Sequence, residues 1–380
     1  MKKFLVVVAY IVLSIFLVLC LFLLLTKLLD KEDITTSNSV IKEEEIKKES
    51  PKKLSLLMVG DALIHNAVYN DAKQADNSYD FKKMFAKVKP LTEGYDLKFY
   101  NQESILGGTE IGLSTYPRFN SPKEVGDAFL DMGFNLVSLA NNHTLDRGEA
   151  GIISSLNYWK DKDVLTAGSY ESLESRNNPI IKSKNGISYA LLAYTTVTNG
   201  LTRPEGKEYY LNVYDETQVK KDIELLRDKV DLLLVSMHFG TEYSLKQNEE
   251  QEKIANYLAS LGVDIVIGHH PHVIEPITYI DNTLVIYSLG NFISGQLTVD
   301  QLTGLMVGVD VIKEKDKQIK LVNLRADLTY TKTKNPITNE FEYEVIPYNE
   351  LTDDILKNKE EHKQKYIDVI QSLGVDIKIN

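Results

Sequence analysis

The chain has 380 residues with 54 acidic against 43 basic side chains, a net charge of −11 and a single cysteine. That balance excludes a general nucleic-acid or polyanion-binding surface, so any polyanionic substrate has to be met locally. One cysteine excludes a disulfide framework, and a body of roughly 330 residues has to be held by core packing alone.

From Phe4 to Thr26 the sequence is continuously apolar apart from small hydroxyls. A run of that length spans a hydrocarbon layer needing about 20 helical residues. It also exceeds the apolar core of a cleaved signal peptide, and no small-residue cleavage site closes it. Lys2 and Lys3 precede it, whereas Lys is mixed with Asp and Glu after it. The positive-inside bias then predicts a single-pass cell-membrane anchor over 1–29, N-terminus cytoplasmic, with the rest extracytoplasmic. Cys20 lies within this run and follows Leu19 rather than a small residue, which argues against a lipoprotein attachment site. Residues 30–53 are dominated by Lys, Glu, Ser and Thr, the composition of a charged flexible linker.

From Leu54 onward short apolar runs alternate with segments of helical period, the pattern of an α/β domain. The first run, Leu54 to Gly60, ends in Asp61. Helical spacing follows at Phe81, Met84, Phe85 and Val88, with Pro90 as its stop. A second run, Leu97 to Tyr100, ends in Asn101, Gln102 and Glu103. Ser121 and Pro122 read as the N-cap and first position of a helix that ends at Gly133. The third run, Asn135 to Ala140, ends in Asn141, Asn142 and His143, with Asp146 just beyond. The next helix has Ile152, Ile153, Leu156 and Trp159 on its apolar side, and Trp159 reads as core.

Val164 to Ala167, Ile180 with Ile181, and Ser188 to Tyr194 read as strands, the last two a hairpin through Asn185 and Gly186. An amphipathic helix is expected over Val219 to Val230. The fourth run, Leu232 to Met237, ends in His238. A helix from Glu249 closes at Gly262, and the fifth run, Val263 to Ile267, ends in Gly268, His269, His270, Pro271 and His272. A hairpin around Asp281 and Asn282 leads to Asn291. Residues 297–380 read as strands at Leu305 to Ile312 and Ile319 to Tyr330 and a polar helix after Leu351, an extension packed on the domain formed by 54–296.

Five strand-like runs thus end in residues able to bind metal. Ligands of open α/β sheets gather at the carboxyl ends of strands, which predicts one shared crevice. The expected metal ligands are Asp61, Glu103, Asn142, His238, His270 and His272, with Asn101 and His269 in reserve. Carboxylate, amide oxygen and imidazole together suit a divalent transition metal, Mn, Fe or Zn, better than Mg or Ca. The ligands suffice for two ions about 3.5–4 Å apart, sharing a hydroxide and clamping the oxygens of an in-line displacement. His270 precedes Pro271, which favours extended backbone, and side chains alternate along such a stretch. On that argument His270 and His272 face the metals and His269 faces away. His143 is the candidate general acid. For Asp146 two readings stand: orienting partner of His143, or N-terminal cap of the following helix.

Gly60 with Asp61, Asn101 to Glu103, Ala140 to His143 with Asp146, His238 to Gly240, Gly268 to Val273 and Tyr287 to Phe292 together resemble the CapA family, named for capsule synthesis with poly-gamma-glutamate. The likeness runs from about Leu54 to Gln296 with the motifs in the family's order. That family is similar to the calcineurin-like metallophosphatases, which implies a sandwich of two mixed β-sheets flanked by helices and a dinuclear metal site. Position by position, the resemblance gives Asp61 as the first metal-binding Asp and Asn142 with His143 as ligand and catalytic histidine. It also gives His238 as the isolated metal-binding His, and His270 with His272 as the closing pair. The phosphatases usually carry Asp-x-His in the first motif, whereas His65 here follows Asp61 by four residues. They bridge the metals with Asp, where this chain has Glu103.

The implied partners are an anionic envelope polymer or a phosphoester substrate and other membrane subunits of a polymer synthase. Two functional expectations follow: a part in capsule polymer synthesis and export, or hydrolysis of another envelope substrate.

Overall fold

The computed structural model describes residues 2–29, 51–314 and 318–380. The linker expected over 30–53 falls outside the described residues up to residue 50. Lys2–Leu29 forms one helix, as its apolar sequence dictates. Its side chains are described at 7, 8 and 10–24 only. Among the described residues no helix is long and apolar enough to cross a membrane.

Residues 51–380 form one compact unit. Its strands are β1 (Lys52–Leu63), β2 (Leu97–Asn101), β3 (Leu136–Ser138), β4 (Leu165–Ala167), β5 (Lys182–Lys184), β6 (Ile187–Thr195), β7 (Leu232–His238) and β8 (Ile265–His269). They continue as β9 (Ile277–Ile280), β10 (Thr283–Ile286), β11 (Asn291–Ser294), β12 (Thr303–Lys313), β13 (Ile319–Lys334), β14 (Phe341–Pro347) and β15 (Lys378–Ile379). The first sheet runs β14-β13-β12-β1-β2-β3-β4, with β11 also on β1 and β15 on β13; the second runs β5-β6-β7-β8-β10-β9. Both are mixed. β1 to β4 are parallel while β12 to β14 join antiparallel, and β6, β7, β8 and β10 are parallel between antiparallel edges.

The period of two in the strands sorts their side chains into three cores. Leu54, Leu56 and Met58 of β1 point between the sheets, where they share a core with Leu191, Leu234 and Ile267 of the second sheet. Leu57 and Val59 face outward, onto Phe85, Phe129 and Trp159. In the second sheet Leu233, Val235 and Val266 face outward onto Val219, Ile223, Ile254 and Leu258 of two helices, Glu216–Leu226 and Glu249–Ser260. The result is a sandwich of two sheets with helices on both outer faces. Each large apolar side chain in these layers contributes about 1.5–3 kcal/mol, so the sheets hold the strand ends firmly.

Several local readings are corrected. Pro90 does not stop a helix; it sits in the first turn of a short one, Lys89–Thr92, where its missing N–H costs nothing. Ser121 is not a cap, because its hydroxyl donates to Ser104 Oγ at 2.8 Å and the helix begins at Glu124. Residues after 297 supply β12 to β15, antiparallel and edge members of the first sheet itself.

Two glycines place the functional ends. A Cβ at Gly60 would lie 1.8 Å from Gly290 O, and one at Gly268 1.9 Å from Tyr287 O. Only glycine permits these backbone crossings, which seat Asp61 and His269 beside the chain that opens β11.

Candidate metal centre

Asp61 lies near the end of β1 at a break in register, and Asn101 closes β2 with Glu103 two residues on. Asn142 follows β3, His238 closes β7, His269 closes β8, and His270 and His272 follow it. All of these side chains are buried. The structure therefore brings the six expected ligands to one place, together with both reserves.

Asp61 Oδ1 accepts the Asn101 amide at 2.8 Å and lies 3.0 Å from His269 Nδ1. Its Oδ2 accepts the His270 backbone N–H at 3.4 Å and lies 3.6 Å from His272 Nδ1. Asn101 thus offers Asp61 its amide N–H and acts as a positioning group. His238 Nε2 lies 3.0 Å from Asn142 Oδ1, 3.2 Å from His270 Nδ1 and 3.7 Å from Glu103 Oε1. His272 Nε2 is 3.6 Å from that same Glu103 oxygen. The donor atoms of Asp61, Glu103 and His272 fall within 4.8 Å of one another, as do those of Glu242, His270 and His272. His272 belongs to both groups.

The fit to metal rests on Glu103. It is fully buried, yet neither carboxylate oxygen has a hydrogen-bond partner. A desolvated carboxylate left without donors costs several kcal/mol, and a cation among Glu103, His238 and His272 would offset that cost. The mixed oxygen and imidazole donors suit a transition metal.

Charge follows burial. Burial pushes Glu103 well above the usual carboxylate range, with Asp61 adding to it against the opposing pull of His272. Burial also pushes on Asp61, but the His269 and His272 imidazoles outweigh it and hold that carboxyl well below its usual value. Burial drives His238 well down and His270 down to about 4, so both rings are neutral, the form that binds metal. His272 is raised to about 9 against the effect of burial, by Glu103 and Asp61.

His143 and Asp146 form a pair beside the cluster, with Nδ1 of the ring 2.6 Å from Asp146 Oδ2. The same oxygen accepts the Phe119 backbone N–H at 2.6 Å, and the Phe119 ring meets His143 edge-on at 4.7 Å. Of the two readings of Asp146, the orienting partner is the one seen; Arg147 occupies the N-cap position of the helix Gly148–Lys160. With Nδ1 engaged, Nε2 is the ring atom left for a proton transfer.

The backbone at His270 and His272 is not extended, contrary to the expectation from Pro271. Their φ values are +98° and +60°, left-handed rather than extended, an uncommon state that non-glycine residues adopt chiefly where surroundings enforce it. Both rings still enter the cluster, and His269 does not face away, since its ring touches Asp61. Three neighbours were missed or undervalued. Glu242, exposed to solvent, joins His270 and His272; its only sequence signal is a carboxylate four residues past His238. Asn291 Oδ1 lies 3.0 Å from His272 Nδ1, and Gly295 N donates to His65 Nδ1 at 3.1 Å. Burial lowers His65 to about 4. Above the cluster opens a cavity of about 430 Å³, lined among others by His65, Arg118, His143, Glu242, Tyr243 and His272.

Comparison with known proteins agrees with the sequence resemblance. Residues 55–296 match the profile of the family described as bacterial capsule synthesis protein PGA_cap. The chain is similar to the capsule biosynthesis protein CapA of Bacillus anthracis, 27% identical over 259 residues, 66% of this chain and 62% of that protein. It is also similar to the PGA biosynthesis protein CapA of Bacillus subtilis (strain 168), 29% identical over 257 residues, 66% of each chain. The match therefore spans slightly less than two thirds of these relatives. Among solved structures it is similar to the calcineurin-like phosphoesterase YfkN of Bacillus subtilis, with 13% identity, TM-score 0.47, and coverage of 83% of this chain and 99% of that one. A second is the Haemophilus influenzae NAD nucleotidase NadN, with 14% identity, TM-score 0.45, and coverage of 87% and 64%. With well over half of its length matched by the family profile, the chain belongs to the bacterial capsule synthesis protein family.

Proposed function

We propose that this protein is a membrane-anchored, extracytoplasmic component of capsule or envelope polymer synthesis and export, poly-gamma-glutamate being the polymer its relatives' names suggest. In this reading it holds two divalent transition-metal ions, Mn, Fe or Zn, at the strand ends. The observation that carries the metal reading is Glu103, buried beside His238 and His272 with both oxygens unpaired. Asp61, Glu103, Asn142, His238, His270 and His272 would hold the ions, with Glu242 as a further donor from the cavity wall. Ions bound there supply Lewis-acid polarisation of a phosphoryl or carbonyl oxygen. The apolar run Phe4 to Thr26 supports the anchor.

The pair formed by His143 and Asp146 favours a working hydrolase over a passive polymer clamp. A clamp has no use for an imidazole whose tautomer is fixed by a buried carboxylate at the edge of a cavity. Asp146 orients the ring, Phe119 excludes water from one of its faces, and Nε2 can hand a proton to a leaving oxygen. Reconstitution of the purified chain with Mn or Zn, followed by elemental analysis, tests the site. The expected result is one to two ions per chain; less than one overturns the reading.

A further inference from the structure

The chain has six arginines. Five have guanidinium groups engaged within the fold: Arg147 with Ser114 and Ile111, Arg176 with Asp222, Arg203 with Leu211, Arg227 with Asp264, and Arg325 with Asp310. Among the described residues, Arg118 is the exception. No hydrogen bond or ion pair is made by its guanidinium, and it lines the cavity above the metal centre. The side chain is exposed at the cavity rim, while its backbone is fixed. Arg118 N donates to Thr115 O at 3.2 Å, and Ser114 Oγ donates to Arg118 O at 2.7 Å. The next residue, Phe119, is tied through its N–H to Asp146 and through its ring to both His65 and His143.

This placement is informative. A surface arginine in a chain of net charge −11 has many acidic partners within the fold's reach, and the other five find partners. Arg118 is instead held on a rigid turn, one residue from the contact that orients His143, with its fork of donors free. Guanidinium binds carboxylate and phosphate through two parallel N–H···O bonds, a geometry lysine lacks. The rest of the cavity rim adds no second arginine or lysine; Glu242 there is acidic, and Tyr116 and Tyr243 are exposed aromatics.

We propose that Arg118 is the anion anchor of this site: its guanidinium binds a carboxylate or phosphate of the substrate that lies beyond the group held at the buried cluster, selecting substrates with at least two anionic groups. The proposal rests on the reading of the strand-end cluster as the reaction centre. It explains how a strongly acidic protein meets a polyanion locally, with one cation at the mouth of the cavity rather than a basic surface.

The test uses the full chain, reconstituted with Mn, and two probes, a γ-linked triglutamate and inorganic tripolyphosphate, titrated calorimetrically against wild type, Arg118→Gln and Arg118→Lys. Binding in Arg118→Gln is expected to weaken at least tenfold, with partial recovery in Arg118→Lys, and with metal content and unfolding midpoint unchanged because the side chain has no partner in the fold. A loss confined to triglutamate identifies a carboxylate as the anchored group, and a loss confined to tripolyphosphate identifies a phosphate. Wild-type binding of neither probe, or equal binding by wild type and Arg118→Gln, overturns the proposal. Failure of the metal reading is seen separately, as less than one ion per chain in the same samples, whatever Arg118 does to probe binding.

Discussion

The two sheets contribute unlike chemistry to one centre. From the ends of β1, β2 and β3 the first sheet delivers oxygen: Asp61, Glu103 and the amide of Asn142. From the ends of β7 and β8 the second delivers nitrogen: His238, His270 and His272. The oxygen half is over-desolvated, since Glu103 has no hydrogen bond at all. The imidazole half is neutralised by burial at His238 and His270, and only His272, which faces both carboxylates, is pushed toward the cationic form. Neither half satisfies itself. The sandwich brings together a buried carboxyl without partners and neutral imidazoles, a donor set that a divalent cation would complete.

The largest expected effect comes from breaking either half. Asp61→Ala and His238→Ala should each reduce retained metal by more than tenfold, read by elemental analysis after dialysis. Glu103→Gln sharpens the asymmetry, because it should lower metal retention while raising the stability of the metal-free chain. Near neutral pH the metal-free fold has to keep on Glu103 a proton that the unfolded chain releases, a cost that glutamine does not carry. Thermal unfolding with chelator present should therefore show a higher midpoint for Glu103→Gln than for wild type. A lower midpoint would mean that Glu103 is satisfied without metal, and the contrast between the halves would fail.

The next effect is on rate. His143→Ala should slow turnover of a generic aryl phosphate by about 10²–10⁴-fold, the usual worth of a general acid. Metal content should stay as in wild type, since His143 lies beside the donor cluster rather than in it. An unchanged rate would remove His143 from the chemistry. Asp146→Asn should act through the ring and cost about 10–100-fold. It should also displace the pH profile, which a purely structural role would not do.

Much of this centre was legible in the sequence because strand ends are. A buried parallel strand reads as an apolar run, and its last residue is marked by the first polar side chain after it; Asp61, Asn101 and His238 were found that way. Glu242 was not, because it hangs from an irregular loop whose path no periodicity encodes. The left-handed backbone at His270 was hidden for a related reason: the residue before a proline is ordinarily extended, whereas here its N–H is turned onto Asp61 Oδ2. The strands β12 and β13 are legible as alternating runs, whereas β14 is not, and the membership of all three in the first sheet depends on antiparallel pairing of β12 with β1 across more than 200 residues of chain, as between Leu54 and Val311. Such long-range register is not written in local pattern.

The smallest effect probes a second carboxyl, Glu275, three residues past His272 on the imidazole side. Gln251 Nε2 donates to its Oε2 at 2.5 Å while Oε1 has no partner, and the side chain is fully buried. Burial raises it from 4.5 to about 8, only partly opposed by Gln251, whereas Asp61 in the other half is held low by its imidazole neighbours. The folded chain therefore keeps a proton on Glu275 that the unfolded chain releases near pH 4.5. The stability contributed by this neutral acid is complete below about 4.5 and is lost as pH rises to about 8, because the folded state binds the extra proton across that window. Glu275→Gln keeps the amide-like hydrogen bonding and removes the titration. Relative to wild type, its unfolding midpoint should rise progressively from pH 5 to pH 8, with the difference levelling off above that. Parallel profiles for the two proteins would show that Glu275 is ionised in the fold, and that the second sheet holds a buried anion like the first.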